Sequence, residues 1–214
     1  DRVDHFVAIS QEVRRRIAKV YRRESAIIYP PVDTSRFAPC REVEDYYLLV
    51  GRLVPYRRID VLIEAFNKMK RPLRIAGSGR DRERLEALAG PTIEFLGYVP
   101  DEALPPLLGK CRAFMFPGEE DFGIAPLQAM AAGRPVVAYA AGGALETVVP
   151  GVTGILFEQQ SVEAIINAVE LLETQTWNSQ EIQTHARQFD SEVFKQKIVD
   201  FVADKMQTRR GRID

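Results

Sequence analysis

The loop from Gly51 to Arg58 contains one glycine and three arginines, residue types that suit phosphate binding. It follows an apolar run typical of a strand and precedes a segment with helical spacing. Glycine lets the backbone approach a ligand closely, and guanidinium groups such as those of Arg52 and Arg57 can hold phosphate oxygens through paired hydrogen bonds. A turn with solvated arginines is the alternative, so the loop alone is only a candidate phosphate site.

A second candidate is the segment Phe116–Gly133, in which an acidic loop separates a predicted strand from a predicted helix. Pro126 suits the first turn of that helix and Gly133 its end. Backbone N–H groups near Gly123–Ala125 would then form an anion site. Because a carboxylate beside such a site repels phosphate, Glu120 is better suited to accept hydrogen bonds from the hydroxyls of a neutral sugar.

The acidic neighbours of Glu120 and the two histidines have simpler interpretations. Glu119 and Asp121 would stabilise the positive end of the helix dipole. A metal site formed by the acidic triplet is the alternative, although no histidine lies nearby. His5 and His185 lack ligand-like neighbours and are predicted to be structural or surface residues.

Glycine-rich turns indicate special backbone conformations at other predicted strand ends. Two of them lie at Ala140–Thr147 and Pro150–Gly154. A third, Gly77-Ser78-Gly79, resembles the start of a dinucleotide-binding fingerprint. Arg82 stands where the third glycine belongs, so the sequence does not predict a nicotinamide site.

Short apolar runs alternate with helical segments such as Ile59–Met69 and Arg80–Ala89. This alternation favours an α/β fold with a parallel sheet and helices on both faces. Such sheets bind ligands at the carboxyl ends of their strands, where both candidate loops lie. The predicted strands are His5–Ile9, Ala26–Tyr29, Tyr46–Val50, Leu73–Ala76, Ile93–Phe95, Ala113–Phe116, Val136–Ala138 and Gly154–Leu156.

The chain divides into three predicted parts. Residues 1–45 contain a strand, a helix, a strand and the stiff break Pro30-Pro31. Residues 46–172 form the alternating unit, and residues 173–214 are predicted to be helical with a polar tail that frays from Lys205 onward. The chain begins with Asp1 instead of Met, as a piece of a longer protein would.

The overall composition excludes several classes of protein. With 46% hydrophobic and 28% charged residues, the chain is typical of soluble globular proteins. Its 29 Lys and Arg are balanced by 30 Asp and Glu, so no nucleic-acid partner is predicted. Two distant cysteines fit a reducing, cytoplasmic compartment. No apolar run reaches the roughly 18 residues of a membrane span.

The predicted helix Gln11–Arg23 is basic and amphipathic. Its apolar stripe includes Val20 and Tyr21, and arginines and a lysine lie opposite. Such a helix can lie on an anionic membrane, which makes a peripheral contact at the cytoplasmic membrane face one interpretation. The alternative is a stripe that packs on the core, with a solvated basic back.

Together the motifs resemble the retaining glycosyltransferases of family 4. The residues that carry the resemblance are Gly51-Arg52-Leu53 with Arg57, Glu120–Gly133 with Pro135–Ala138, and Gly142-Gly143 with Glu146. The resemblance implies a GT-B fold, in which two Rossmann-like domains enclose the active site. Residues 46–172 would be the C-terminal, nucleotide-sugar-binding domain, and residues 1–45 the end of the N-terminal half and the linker.

The resemblance also implies roles for individual residues. Arg52, and Arg57 in place of the family's usual lysine, would hold the donor diphosphate. Glu120 would contact hydroxyls of the transferred sugar, which completes the predicted catalytic set. The residues implied to bind the donor are Gly51, Tyr98, Val99, Leu104, Phe122, Gly123, Ile124 and Gln128. Among them, Tyr98, Val99 and Leu104 would border the base.

Gln128 departs from the family pattern, which has a second glutamate eight residues after the first. In the family this residue accepts hydrogen bonds from the ribose hydroxyls. A glutamine oxygen can still accept, but charged acceptors make bonds roughly twice as strong. We therefore expect Gln128 to lower the affinity for the donor.

The resemblance implies a donor-binding domain that serves hexose transfer from a nucleotide-diphosphate sugar, with no metal cofactor. The runs Arg58-Ile59-Asp60 and Glu120-Asp121-Phe122-Gly123 resemble those of mannosyltransferase-like members, which implies mannose from GDP-mannose, with a UDP-linked donor as the alternative. The N-terminal acceptor domain is missing from these residues, so the chain alone is expected to be inactive. Two further alternatives are a non-catalytic nucleotide-sugar-binding or scaffold module, which Gln128 favours, and a sugar-nucleotide epimerase.

Overall fold

Two parallel sheets organise the protein, a computed structural model of which describes the backbone of residues 3–210 and the side chains of residues 3–207. The smaller sheet comprises β1 (Phe6–Ala8) and β2 (Ser25–Ile27), which are joined by α1 (Gln11–Tyr21). The following elements are β3 (Tyr47–Val50), α2 (Ile59–Met69), β4 (Leu73–Ala76), α3 (Arg82–Leu88), β5 (Ile93–Gly97), α4 (Leu104–Lys110), β6 (Phe114–Phe116), α5 (Ile124–Ala131), β7 (Val136–Tyr139), α6 (Ala144–Thr147), β8 (Gly154–Phe157), α7 (Val162–Thr174), α8 (Ser179–Ala186) and α9 (Ser191–Arg210).

The larger sheet has six parallel strands in the order β5-β4-β3-β6-β7-β8. The predicted α/β fold, a parallel sheet flanked by helices, is confirmed. The strand order reverses direction between β3 and β6, which makes the gap between their carboxyl ends the topological switch point. The loops that follow these two strands are the two candidate loops of the sequence.

Both faces of this sheet are buried, as alternation along β3 illustrates. Tyr47 and Leu49 belong to the core that lies under α2 and α7, whereas Leu48 belongs to the core that lies under α5 and α8. Successive side chains of a strand point to opposite faces, so an uninterrupted apolar run is required where both faces are covered. The second core continues through α8 to Phe189.

The six-stranded sheet and the helices packed on it are called the larger unit. The chain enters and leaves this unit at neighbouring points. The Val32 N–H group donates to the Phe189 carbonyl at 2.9 Å, and the Ser191 N–H group donates to the Val32 carbonyl at 3.2 Å. Asp190 accepts hydrogen bonds from the backbone and the hydroxyl of Thr34, which lowers the pKa of Asp190. The entry and exit segments are therefore held side by side.

Fraying is expected from Lys205 onward, and α9 is helical through these residues as far as Arg210. The remainder of the predicted tail, residues 211–214, lies outside the described residues. Lys, Met, Gln and Arg are good helix formers, which accounts for the continuation. Among the described residues, no helix has the length and apolar character needed to cross a membrane.

Candidate functional site

A cavity of about 430 Å³ opens at the switch point, beside the carboxyl ends of β3 and β6. It brings together seven of the residues predicted from the sequence. These are Gly51, Arg57, Glu120, Phe122, Gly123, Ile124 and Gln128. The cavity therefore combines a guanidinium group, a carboxylate and the start of α5.

Arg57 is held at the cavity by the two glycines that flank it in space. A Cβ atom on Gly51 would lie 2.0 Å from Arg57 Nη1, and one on Gly118 would lie 2.6 Å from Arg57 Cα. The absence of a side chain at Gly51 thus makes room for the arginine, whereas the sequence suggested room for a ligand. The loop after β3 has a structural reason for its glycine.

Arg57 and Glu120 form an ion pair between Nη2 and Oε1, and both side chains are largely buried. Burial raises the pKa of Glu120, and the positive charge of Arg57 opposes that rise. Glu120 Oε1 is engaged in this ion pair, whereas the buried Arg57 Nε has no hydrogen-bond partner among the described residues. A buried donor without a partner is rare and calls for an explanation, and a ligand in the adjoining cavity would provide one for Arg57 Nε.

The N-terminus of α5 forms another wall of the cavity. Its N-cap, Gly123, has φ +88°, a conformation that favours glycine, and supplies no side-chain hydrogen bond to the helix. Pro126 lies in the first turn and has no N–H group, so the backbone donors available there are those of Gly123–Ala125. Helix N-termini of this kind attract anions.

Gly142-Gly143 supports the loop that carries Glu120. The Gly143 N–H group donates to the Glu120 carbonyl at 2.8 Å, and a Cβ atom on Gly143 would lie 2.1 Å from the Phe122 carbonyl oxygen. Gly77 has a similar role, because a Cβ atom there would lie 1.8 Å from the Gly51 carbonyl oxygen. The partial dinucleotide fingerprint is therefore explained by close packing of neighbouring loops.

Four of the predicted residues do not line the cavity. Arg52 is exposed on the loop after β3. Tyr98, which is 78% exposed, and Val99 follow β5, two strands away from β3 in the sheet. Leu104 begins α4 and packs on the core. All four lie on the chain after the carboxyl end of a strand, but the structure does not gather them around Glu120.

The sequence did not identify two cavity residues from the smaller sheet, Ile9 and Pro30. Ile9 directly follows β1, and Pro30 follows β2 after two residues. The signal was present, because the rule that ligands lie at the carboxyl ends of strands applies to both sheets. The carboxyl ends of the two sheets thus face one cavity.

The histidines do not line the cavity, whereas Asp121, an acidic neighbour of Glu120, does. His185 is bonded through Nε2 to the Thr147 carbonyl at 2.8 Å, and His5 contacts the Phe201 ring. Asp121 forms an ion pair with Arg16 of α1. Within the described part of the chain, no group of three or more His, Cys, Asp or Glu side chains could hold a metal ion.

Comparison with known proteins identifies the family of this chain. The model of the family described as Glycosyl transferases group 1 matches residues 33–189. The chain belongs to this family. It is 34% identical over 198 residues to a GDP-mannose-dependent alpha-(1-6)-phosphatidylinositol monomannoside mannosyltransferase of Mycolicibacterium smegmatis, with 78% of this chain and 52% of the relative covered.

A mannosyltransferase of the same description from Mycobacterium tuberculosis is 32% identical, with 80% of this chain and 53% of that protein covered. This group 1 chain thus spans about half the length of these curated relatives. Its fold matches the Anabaena protein HepE, solved in complex with UDP, with a TM-score of 0.85 at 22% identity. That match covers 94% of this chain and 64% of HepE, and it supports assignment to the GT-B fold.

Proposed function

We propose that this chain is the donor-binding domain of a family 4 retaining glycosyltransferase, which transfers a hexose from a nucleotide-diphosphate sugar to an acceptor. The observation that carries the proposal is the meeting of Arg57, Glu120 and the α5 N-terminus at the switch point. Arg57 and the α5 amides would bind the diphosphate, and Glu120 would accept hydrogen bonds from sugar hydroxyls. These groups offer both charge and donors in a largely buried setting.

In the complete enzyme, the same groups would stabilise the negative charge that develops on the departing diphosphate. Gln128, on the side of α5 that lines the cavity, would accept a hydrogen bond from the ribose. Arg52 would reach the diphosphate from the rim, and Tyr98, Val99 and Leu104 would border the base. These assignments rest on the family resemblance together with the cavity.

The donor that we propose is GDP-mannose. Support comes from the two mycobacterial relatives, which are described as GDP-mannose-dependent mannosyltransferases. A UDP-linked sugar is the competing donor, because HepE was solved with UDP. The two bases differ in size and in hydrogen-bonding groups, so direct binding separates them.

We also propose that the complete protein has an N-terminal acceptor domain that extends the β1–β2 sheet, with residues 1–45 as its end and linker. A two-stranded sheet is marginal by itself, and parallel sheets are normally covered on both faces. Here Val3, Val7 and Ile9 on or beside β1 are between 36% and 52% exposed. An added domain would cover them and supply the other wall of the cleft.

We further propose that the enzyme is cytoplasmic and contacts an anionic membrane face, and the α1 surface supports the membrane contact. Val20 and Tyr21, expected to pack on the core in one interpretation, are 69% and 62% exposed beside the basic residues of α1. Ile17 is the buried residue of the helix. An exposed apolar and basic helix suits the interface of a lipid bilayer.

The test is a calorimetric binding panel of GDP, UDP, GDP-mannose and UDP-glucose on this chain and on the Arg52→Ala variant. We expect GDP and GDP-mannose to bind more tightly than the uridine compounds, and Arg52→Ala to weaken binding severalfold. Failure of all four compounds to bind would refute the donor-binding function. Donor binding without sugar transfer by the complete protein would favour the scaffold alternative.

A further inference from the structure

Glu146 holds the start of α1, from which it is separated by 135 residues of sequence. The Gln11 N–H group donates to both of its carboxylate oxygens, at 2.8 and 3.0 Å. Ser10 caps another amide of the same turn, that of Val13, at 3.1 Å. A carboxylate at a helix N-terminus also interacts favourably with the helix dipole. The position of α1 is therefore fixed by a charged residue of the larger unit.

Glu146 lies on α6, which packs against the loop between β6 and α5; this loop, residues 117–123, is called the cavity loop below. The α6 helix begins directly after Gly143, whose N–H group is bonded to the Glu120 carbonyl and whose Cα has no room for a side chain against Phe122. Closely packed backbone transmits displacement instead of absorbing it. A shift of α1 would thus act through Glu146 on residues 120–122.

Two further contacts join the same parts. Arg16, one turn and a half along α1, forms an ion pair with Asp121. The Tyr29 ring stacks on the Phe122 ring, with centroids 5.4 Å apart and planes inclined by 16°. Burial, followed by the Glu146 carboxylate, raises the pKa of Tyr29. Residues 9–30 therefore meet the loop after β6 at successive positions.

These contacts matter because the cavity has walls from both parts. Ile9 and Pro30 come from the smaller sheet, and Gly123 and Gln128 come from α5. We infer that Glu146 is a positioning residue that couples nucleotide binding to the seating of α1 against the cavity loop. The inference rests on the proposed function, which supplies the ligand. Coupling of this kind is reciprocal, so the nucleotide must in turn stabilise the start of α1.

The experiment measures both directions of this coupling. Calorimetry gives the GDP and UDP affinities of the unaltered chain and of Glu146→Ala, Glu146→Gln and Glu170→Gln. Glu170 is an exposed residue of α7 and is the matched control. We expect Glu146→Ala to lower affinity about tenfold, within the usual range of coupling between sites. Glu146→Gln keeps one acceptor oxygen and should lose less, and Glu170→Gln should lose nothing.

Hydrogen exchange at residues 11–14, with and without GDP, provides a readout that a merely structural residue would not change. We expect GDP to slow exchange there in the unaltered chain but not in Glu146→Ala, or in Glu146→Gln should the alanine variant not fold. If the unaltered chain binds GDP and the Glu146 variants retain both the affinity and the slowed exchange, the inference is overturned and the proposed function stands. If the unaltered chain binds neither nucleotide, the proposed function and the inference fall together.

Discussion

The carboxyl and amino edges of the six-stranded sheet both hold charged side chains beside a cavity, but the hydrogen bonding of these side chains differs. At the carboxyl edge, Glu120 Oε1 is paired with Arg57 Nη2, but Arg57 Nε has no hydrogen-bond partner among the described residues. At the amino edge, a cavity of about 370 Å³ contains Glu173, which accepts hydrogen bonds from Tyr47 Oη at 2.7 Å and Arg71 Nη2 at 2.6 Å.

The two edges differ in hydrogen-bond satisfaction, and this difference is the reason for proposing a ligand site at the carboxyl edge and not at the amino edge. Arg112 adds a third partner for Glu173, with Nη1 at 3.7 Å from its carboxylate. The Glu173 carboxylate at the amino edge therefore has its hydrogen-bond and ion-pair partners within the protein. The carboxyl-edge cluster retains one charged donor, Arg57 Nε, without a hydrogen-bond partner among the described residues, and hydrogen bonds to charged groups are the stronger ones.

The largest expected effect comes from removing one arginine at each edge. Arg57→Ala should lower GDP affinity by about a factor of 100, since a hydrogen bond to a charged group contributes about 1.5–3 kcal/mol. Arg112→Ala should leave GDP affinity unchanged and lower the free energy of unfolding by about 1 kcal/mol at most. Calorimetry and denaturant unfolding measure these quantities. Equal losses of GDP affinity in the two variants would remove the distinction between the edges.

The glycine support of the carboxyl edge should give the next largest effect. Gly143→Ala forces a Cβ atom against the backbone of Phe122, so the free energy of unfolding should fall by about 1–3 kcal/mol. Gly151→Ala is a stringent control, because its positive φ adds strain that Gly143 lacks, yet no atom lies within 4 Å of the new Cβ. Denaturant unfolding should show the smaller loss for the control. A loss at Gly151 as large as that at Gly143 would contradict the packing argument.

Gln128→Glu should sharpen the carboxyl edge as a nucleotide site. A charged acceptor replaces a neutral one toward the ribose hydroxyls, so GDP affinity should rise by up to about tenfold. Calorimetric titration of the variant beside the unaltered chain checks this result. Unchanged or weaker affinity would refute the ribose role of residue 128.

Glu120→Gln should change the pH dependence of stability by the smallest amount. Burial raises the pKa of Glu120 in the folded state, so between its ordinary value of 4.5 and the raised value the folded protein binds more protons than the unfolded chain. The free energy of unfolding therefore falls as pH rises through this window, and the glutamine variant should lack this contribution. Unfolding curves at successive pH values measure the difference. Parallel profiles for the two proteins would argue against the raised pKa.

The sequence was sufficient to predict the strands and the sheet edge at which the site lies. The apolar run Tyr46–Val50 became β3, and the helical spacing of Ile59–Met69 became α2 with the same bounds. Both predictions depend on local periodicity, which is retained when both faces of a sheet are buried. The candidate loops then meet because β3 and β6 are neighbours in the sheet.

Side-chain direction and contacts between distant segments could not be read from local patterns. Arg52 and Arg57 have the same residue type on one loop, but only Arg57 lies over Gly51 and points into the cavity. Ile9 and Pro30 are about 100 residues from Glu120 in sequence, and their place in the cavity depends on how the two sheets are seated. The spacing of residues in the sequence predicts at which edge of the sheet a loop lies. Which side chains of that loop enter the cavity depends on tertiary packing.

The side-by-side crossing at Val32 and Asp190 makes the larger unit topologically an insertion. The family model spans residues 33–189, which lie just inside that crossing. A chimera that exchanges this unit for the corresponding unit of a relative would therefore have only one double junction to match. Donor preference could be transplanted as a cassette, while the smaller sheet and α9 stay with the recipient.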